Sequence, residues 1–208
     1  MPPYSGIRHI ITYEPAINYP IYYRIWYNIE SNLNMSEAKM DDPQAPMKMI
    51  QLAGKMAPNL RVAILAHEID RTEARKLVQL FRKNAILCWT EDELLPGQDW
   101  RLETERAYRE ADFILVLISK KSVQLESVYQ KHIKTALEAG SEKPESGIKT
   151  IPVRLDECNI PFVLREIYSV NWWEKNASLR LILAWAKEWQ RRYDANDWPK
   201  IKYVVRWK

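Results

Sequence analysis

Residues Cys88–Trp100 read CWTEDELLPGQDW, and Ala111–Val123 read ADFILVLISKKSV. The core of the second stretch, Asp112–Ser119, is apolar almost from end to end. That is how a central strand reads when both faces of its sheet are covered. The first stretch closes a shorter apolar run, Ala85–Trp89 (AILCW), and then turns polar. In Leu95-Pro96-Gly97-Gln98 the proline sets φ and the glycine tolerates positive φ, the requirements of a type II turn. Such a turn is expected to project Leu94 and Leu95 outwards. Asp99 is placed to cap a helix running to Glu110. The region therefore predicts strand, tight turn, helix, strand.

The same alternation extends in both directions. Arg61–Ala66 (RVAILA) reads as a buried strand. Arg71–Lys83 is amphipathic, with Ala74, Leu77, Val78 and Phe81 on one face. Beyond the central strand, Ser122–Ala139 predicts a helix stopped by Gly140. Ile148–Arg154 predicts a fourth strand, whose Pro152 points to a strand end or a sheet edge. Ile167–Val170 is a weak fifth strand and Leu179–Arg192 a last helix. Repeated strand–helix units imply an α/β fold, a five-stranded parallel sheet with helices on both faces. Ligands then sit beyond the carboxyl ends of the strands, after Ala66, Trp89 and Ser119.

The 208 residues divide into 1–58, 59–192 and 193–208. Residues 1–58 are aromatic at first (Tyr4, Tyr13, Tyr19, Tyr22, Tyr23, Trp26, Tyr27), then polar and Met-rich. They predict an arm and linker, with a helix near Met47–Met56. The net charge of +4 comes wholly from residues 190–208, with six basic and two acidic side chains. Interleaved Tyr193, Trp198, Tyr203 and Trp207 make that tail a pattern compatible with nucleic acid. The charge-balanced centre argues against this partner. No apolar run suits a membrane span, and no leader peptide pattern opens the chain. Cys88 and Cys158 have no metal-type spacing and read as buried free thiols, as in the cytoplasm.

The combination of DELLPGQDW (Asp92–Trp100), Glu105-Arg106-Ala107, Ala111-Asp112, Ser119-Lys120-Lys121-Ser122-Val123 and Ile151–Asp156 resembles the prokaryotic TIR (Toll/interleukin-1 receptor) domain over roughly residues 60–175. The resemblance implies a flavodoxin-like fold. It makes Leu94, Leu95, Pro96, Gly97, Gln98 and Trp100 the family's protein-docking BB loop. It implies that partners are other TIR domains or a second copy, in signalling or defence assemblies, and that no cofactor is required.

Some members of the family cleave NAD between nicotinamide and ribose, using a glutamate on the third helix. The matching segment here runs Gln130-Lys131-His132-Ile133, which puts His132 at the glutamate position. On this resemblance the candidate NAD cleft comprises Ala66, His67, Asp70, Arg71, Trp89, Asp92, Ser119 and His132. The first strand departs from the family too, since Leu65 and Ala66 stand where polar and aromatic residues are usual, although Asp70-Arg71 still matches. An imidazole cannot stabilise an oxocarbenium-like centre as an anion does, and losing such a group costs about two to four orders of magnitude in rate. Glu126 and Glu138 each lie six positions from His132, about 600° around a helix, and so face elsewhere. The sequence therefore predicts a docking module with a degenerate cleft, with an atypical NAD glycohydrolase as the alternative. His67 and His132 lack a third ligand at metal spacing, so no metal site is expected.

Overall fold

The computed structural model describes residues 60–125, 128–141 and 147–195. The expected arm and linker of residues 1–58, the helix near Met47–Met56, Glu126 and the tail beyond residue 195 lie outside the described residues.

Five strands, β1 (Arg61–Ala66), β2 (Leu87–Trp89), β3 (Phe113–Ile118), β4 (Thr150–Arg154) and β5 (Val170–Asn171), form one parallel sheet in the order β2-β1-β3-β4-β5. Four helices cover it: α1 (Arg71–Lys83), α2 (Trp100–Glu110), α3 (Val128–Ser141) and α4 (Ala177–Ala195). This is the predicted α/β architecture. Strand alternation splits the core in two. Val62, Ile64, Phe113, Leu115 and Leu117 meet Leu77 and Phe81 of α1 and Leu181 and Trp185 of α4. Ala63, Leu65, Ile114, Val116 and Ile118 face Ala107 and Tyr108 of α2 and Tyr129, Ile133 and Ala136 of α3. All six residues of β3 are buried. The apolar face predicted for α1 (Ala74, Leu77, Val78, Phe81) is the face it buries.

Five local expectations change, the first being that the fifth strand, expected at Ile167–Val170, lies at Val170–Asn171. The second strand begins at Leu87, because Ala85 (φ 60°) ends α1 in the left-handed region. Ile86 N–H bonds to Phe81 O (3.1 Å) and Ala85 N–H to Arg82 O (3.1 Å), a Schellman closure with alanine where glycine is usual. The helix expected over Ser122–Ala139 is a single turn (Lys120–Val123) followed by α3. Gly140 lies inside α3 and does not stop it. A Cβ there would meet Thr150 Oγ1 at 2.9 Å, so the residue permits close approach of α3 to β4. Pro152 is neither at an edge nor at an end: it pairs with Val116 in a strand flanked on both sides. Leu155 N–H reaches Ile118 O across β3. The amides of 151, 153 and 155 thus point to β3, and position 152 points towards β5. That two-residue strand pairs only with Val153 and Arg154, so the missing N–H leaves no ladder bond unmade.

At the amino ends of the strands an ionic cluster ties α4 to the sheet. Arg192, 1% exposed, donates to Asp112 Oδ1, Asp112 O and Glu188 Oε1, each at 2.9 Å. Arg61 also reaches Asp112, and Arg191 grips Glu188. Two of the six basic residues counted in the tail are therefore structural.

Candidate functional site

From β1 the chain steps outward to β2 and then crosses back past β1 to β3, so the switch point lies between β1 and β3. Ser119, just past β3, donates its hydroxyl to Asp70 Oδ2 (2.9 Å), just before α1. Ser122 completes a capping box with Ser119. Asp70 and Ser119 are buried and bridge the switch point with each other. His67 caps the short 3-10 turn Glu68–Asp70 through Nδ1 and sets its ring edge-on to Tyr129.

The concave part of the site lies beside this bridge, between β1, β2 and α1. Ala66, Arg71, Arg75, Thr90, Glu91 and Asp92 line a cavity of about 30 Å³, room for one or two waters. Arg75 (2.8 Å) and Arg71 (3.5 Å) hold Asp92 across it. Of the residues predicted for the cleft, Ala66, Arg71 and Asp92 come together here. Trp89 does not: it is buried, edge-on to Tyr108, as part of the core. Asp70 and Ser119 form the bridge instead.

His132 projects from α3 towards the β2–α2 loop. Its Nδ1–H donates to Glu91 Oε1 (2.8 Å), and its ring stacks on Trp100, centroids 4.7 Å apart and 28° from coplanar. Its Nε2 is buried and has no hydrogen-bond partner among the described residues. Among the described residues, the carboxylate beside His132 is that of Glu91 and not of Glu138. Glu138 is exposed and near Lys134, whereas Glu91 arrives from the end of β2. Forty-one residues separate Glu91 from His132, so no local spacing signals the pair.

The loop itself is built as the turn chemistry requires. Gly97 has φ 88°, and Gln98 N–H bonds to Leu95 O (3.1 Å), giving the type II turn. Gln98 Oε1 accepts from Leu95 N–H (2.8 Å), a second closure. Asp99 caps α2 by accepting from Arg101 and Leu102 N–H. Leu95 is 54% exposed. Leu94, expected outside, packs against the core of the α2–α3 face. Trp100 is 42% exposed, with its other face on His132.

Burial pushes the Cys88 thiol up to about 12, and both cysteines are free and buried. Among the described residues no His/Cys/Asp/Glu group of three or more could hold a metal ion, and no helix is long and apolar enough to cross a membrane.

The sequence profile of the TIR domain matches residues 62–183. No curated protein matches the chain.

Proposed function

As the chain belongs to the TIR domain family, a family of signalling modules whose members commonly associate with one another, we propose that it works by association, through the Leu94–Trp100 loop, with a second copy or another TIR domain. One observation carries the reading. The loop is a stiff turn, closed twice by Gln98, that holds an apolar side chain, Leu95, out in solvent. Such a side chain on a rigid support docks at little conformational cost. The proposed body is residues 59–192, with the aromatic segment 1–58 as a second contact surface. The proposed setting is a prokaryotic defence assembly in the cytoplasm, which suits two free thiols. No cofactor is required for this role. Replacing Pro96 and Gly97 together by alanine should abolish oligomers and partner complexes in size-exclusion chromatography. Unchanged assemblies would refute the reading.

A second reading, an NAD glycohydrolase with an atypical site, is favoured by Glu91 beside His132. A carboxylate there could stabilise positive charge developing on ribose. The bond from C1′ to the nicotinamide nitrogen would break with its electron pair on nicotinamide. Water would add to C1′, and its proton would pass to Glu91. Nicotinamide release by concentrated protein decides between the two. Turnover lost in Glu91→Gln supports the enzyme. A silent wild type, with release appearing in His132→Glu, supports a degenerate cleft.

A further inference from the structure

We propose that His132 is a positioning residue for the docking loop: a single imidazole holds both ends of the Glu91–Trp100 segment and so presets the face it offers to a second copy of the domain. The proposal rests on the association reading and concerns how that loop is kept ready.

The first half of the loop is tied down residue by residue. Glu91 bonds to His132, Asp92 to Arg71 and Arg75, and Glu93 to Arg82 (2.8 Å), while Leu94 packs on the core. The second half is different. The hydrogen bonds of Leu95–Asp99 close on the segment itself and on the first turn of α2. The next side chain to return to the domain is Trp100, and it returns to the same ring that Glu91 holds. The ring's support is firm, because Tyr129, Ile133 and Ala136 of α3 are buried in the core.

Imidazole suits both contacts. Its edge supplies an N–H to the carboxylate, and its flat face supplies a stacking surface to the indole. A carboxylate at position 132 would repel Glu91 and has no ring face for Trp100. The residue that departs from the NAD-cleaving pattern is therefore the residue that joins the two ends of the loop. The fraction of molecules with the loop in its docking shape scales the apparent association constant directly. Losing a stacked ring and a hydrogen bond shifts the closed–open equilibrium of the loop about tenfold, and the association constant falls by up to that factor as the open form becomes the major one.

Hydrogen exchange and sedimentation velocity on the full chain test this. In His132→Ala, the bonded amides of Leu94, Leu95 and Gln98 should exchange faster and self-association should weaken, each by up to about tenfold, with the melting temperature lowered by only a few degrees. Trp100→Ala, at a more exposed position, should reproduce both effects should His132→Ala fold poorly. His132→Glu should be at least as disruptive. Leu95→Ala should weaken association while leaving loop exchange as in wild type. Loop exchange unaltered in both His132→Ala and Trp100→Ala would overturn the clasp. Exchange raised to the rate of a fully open loop, with an unchanged association constant, would overturn its link to docking. A wild type that stays monomeric at all concentrations would refute self-association through the loop, and the exchange comparison would still decide the clasp.

Discussion

Replacing Arg192 by methionine should cost the domain about 3 kcal/mol. The guanidinium is 1% exposed and makes three hydrogen bonds of 2.9 Å, two to Asp112 and one to Glu188. Removing one partner of a buried ion pair typically costs about 3–5 kcal/mol, because the other charge is left without compensation. Here neither carboxylate is left bare. Asp112 keeps Arg61, through its backbone N–H (2.9 Å) and Nε (3.4 Å). Glu188 keeps Arg191, with two bonds of 3.0 Å, and Ile148 N–H (2.9 Å). The loss should therefore fall at the low end of that range. For a domain of this size about 3 kcal/mol lowers the melting temperature by about 6–12 °C. Urea and thermal unfolding at pH 7, followed by circular dichroism, measure it, with the exposed Lys134→Ala as a control. A loss below about 0.5 kcal/mol, the size of a surface substitution, would refute the assignment of Arg192 to a buried cluster. The same cluster fixes a pH dependence. Burial alone would raise the pKa of Glu188, but hydrogen bonds from Arg191, Ile148 N–H and Arg192 outweigh it, and the net shift is downward from 4.5. A lowered folded-state pKa contributes stability in full above the unfolded value. That contribution disappears as pH falls below about 4.3. Acid should therefore destabilise wild type more steeply than Arg192→Met across this window.

Three further outcomes follow from local geometry. Ala85→Gly should stabilise the domain by about 1 kcal/mol, since glycine adopts φ 60° without the Cβ clash; no gain in urea midpoint would show that Ala85 is not strained. Gly140→Ala, which in an open helix would gain about 1 kcal/mol, should instead lose about 1–2 kcal/mol through overpacking on Thr150 Oγ1. A Thr150→Ala background should remove that loss, and an additive double mutant would contradict the contact. Cys88, buried with its thiol held up at about 12, should resist alkylation at pH 8 in the folded protein and react at once in urea; rapid native labelling, read by mass spectrometry, would contradict its burial.

The elements and their order were legible along the chain. β1 and α1 were predicted residue for residue, and Asp99 was predicted as a cap, because hydrophobic periodicity and capping are properties of near neighbours. The turn at Leu95–Gln98 was legible for the same reason: proline and glycine restrict their own φ. What the near neighbours did not carry was pairing at long range. Pro152 suggested an edge, yet it sits in an inner strand, since only the register of β5 decides whether its missing N–H matters. Gly140 suggested a helix stop, yet it serves contact with Thr150 on another element. Trp89 looked available to a ligand, yet its strand turns it into the core.

The candidate site divides along the same line. From residue types came the loop and its stiffness, and from the resemblance to the TIR family the imidazole at position 132. Folding alone brought Glu91 and Trp100 to that imidazole, over 41 residues in the case of Glu91. It likewise joined Arg192 to Asp112, 80 residues away. A sequence records what each residue can donate, accept or stack upon. Which partner it meets depends on strand order and helix docking, which no local spacing encodes.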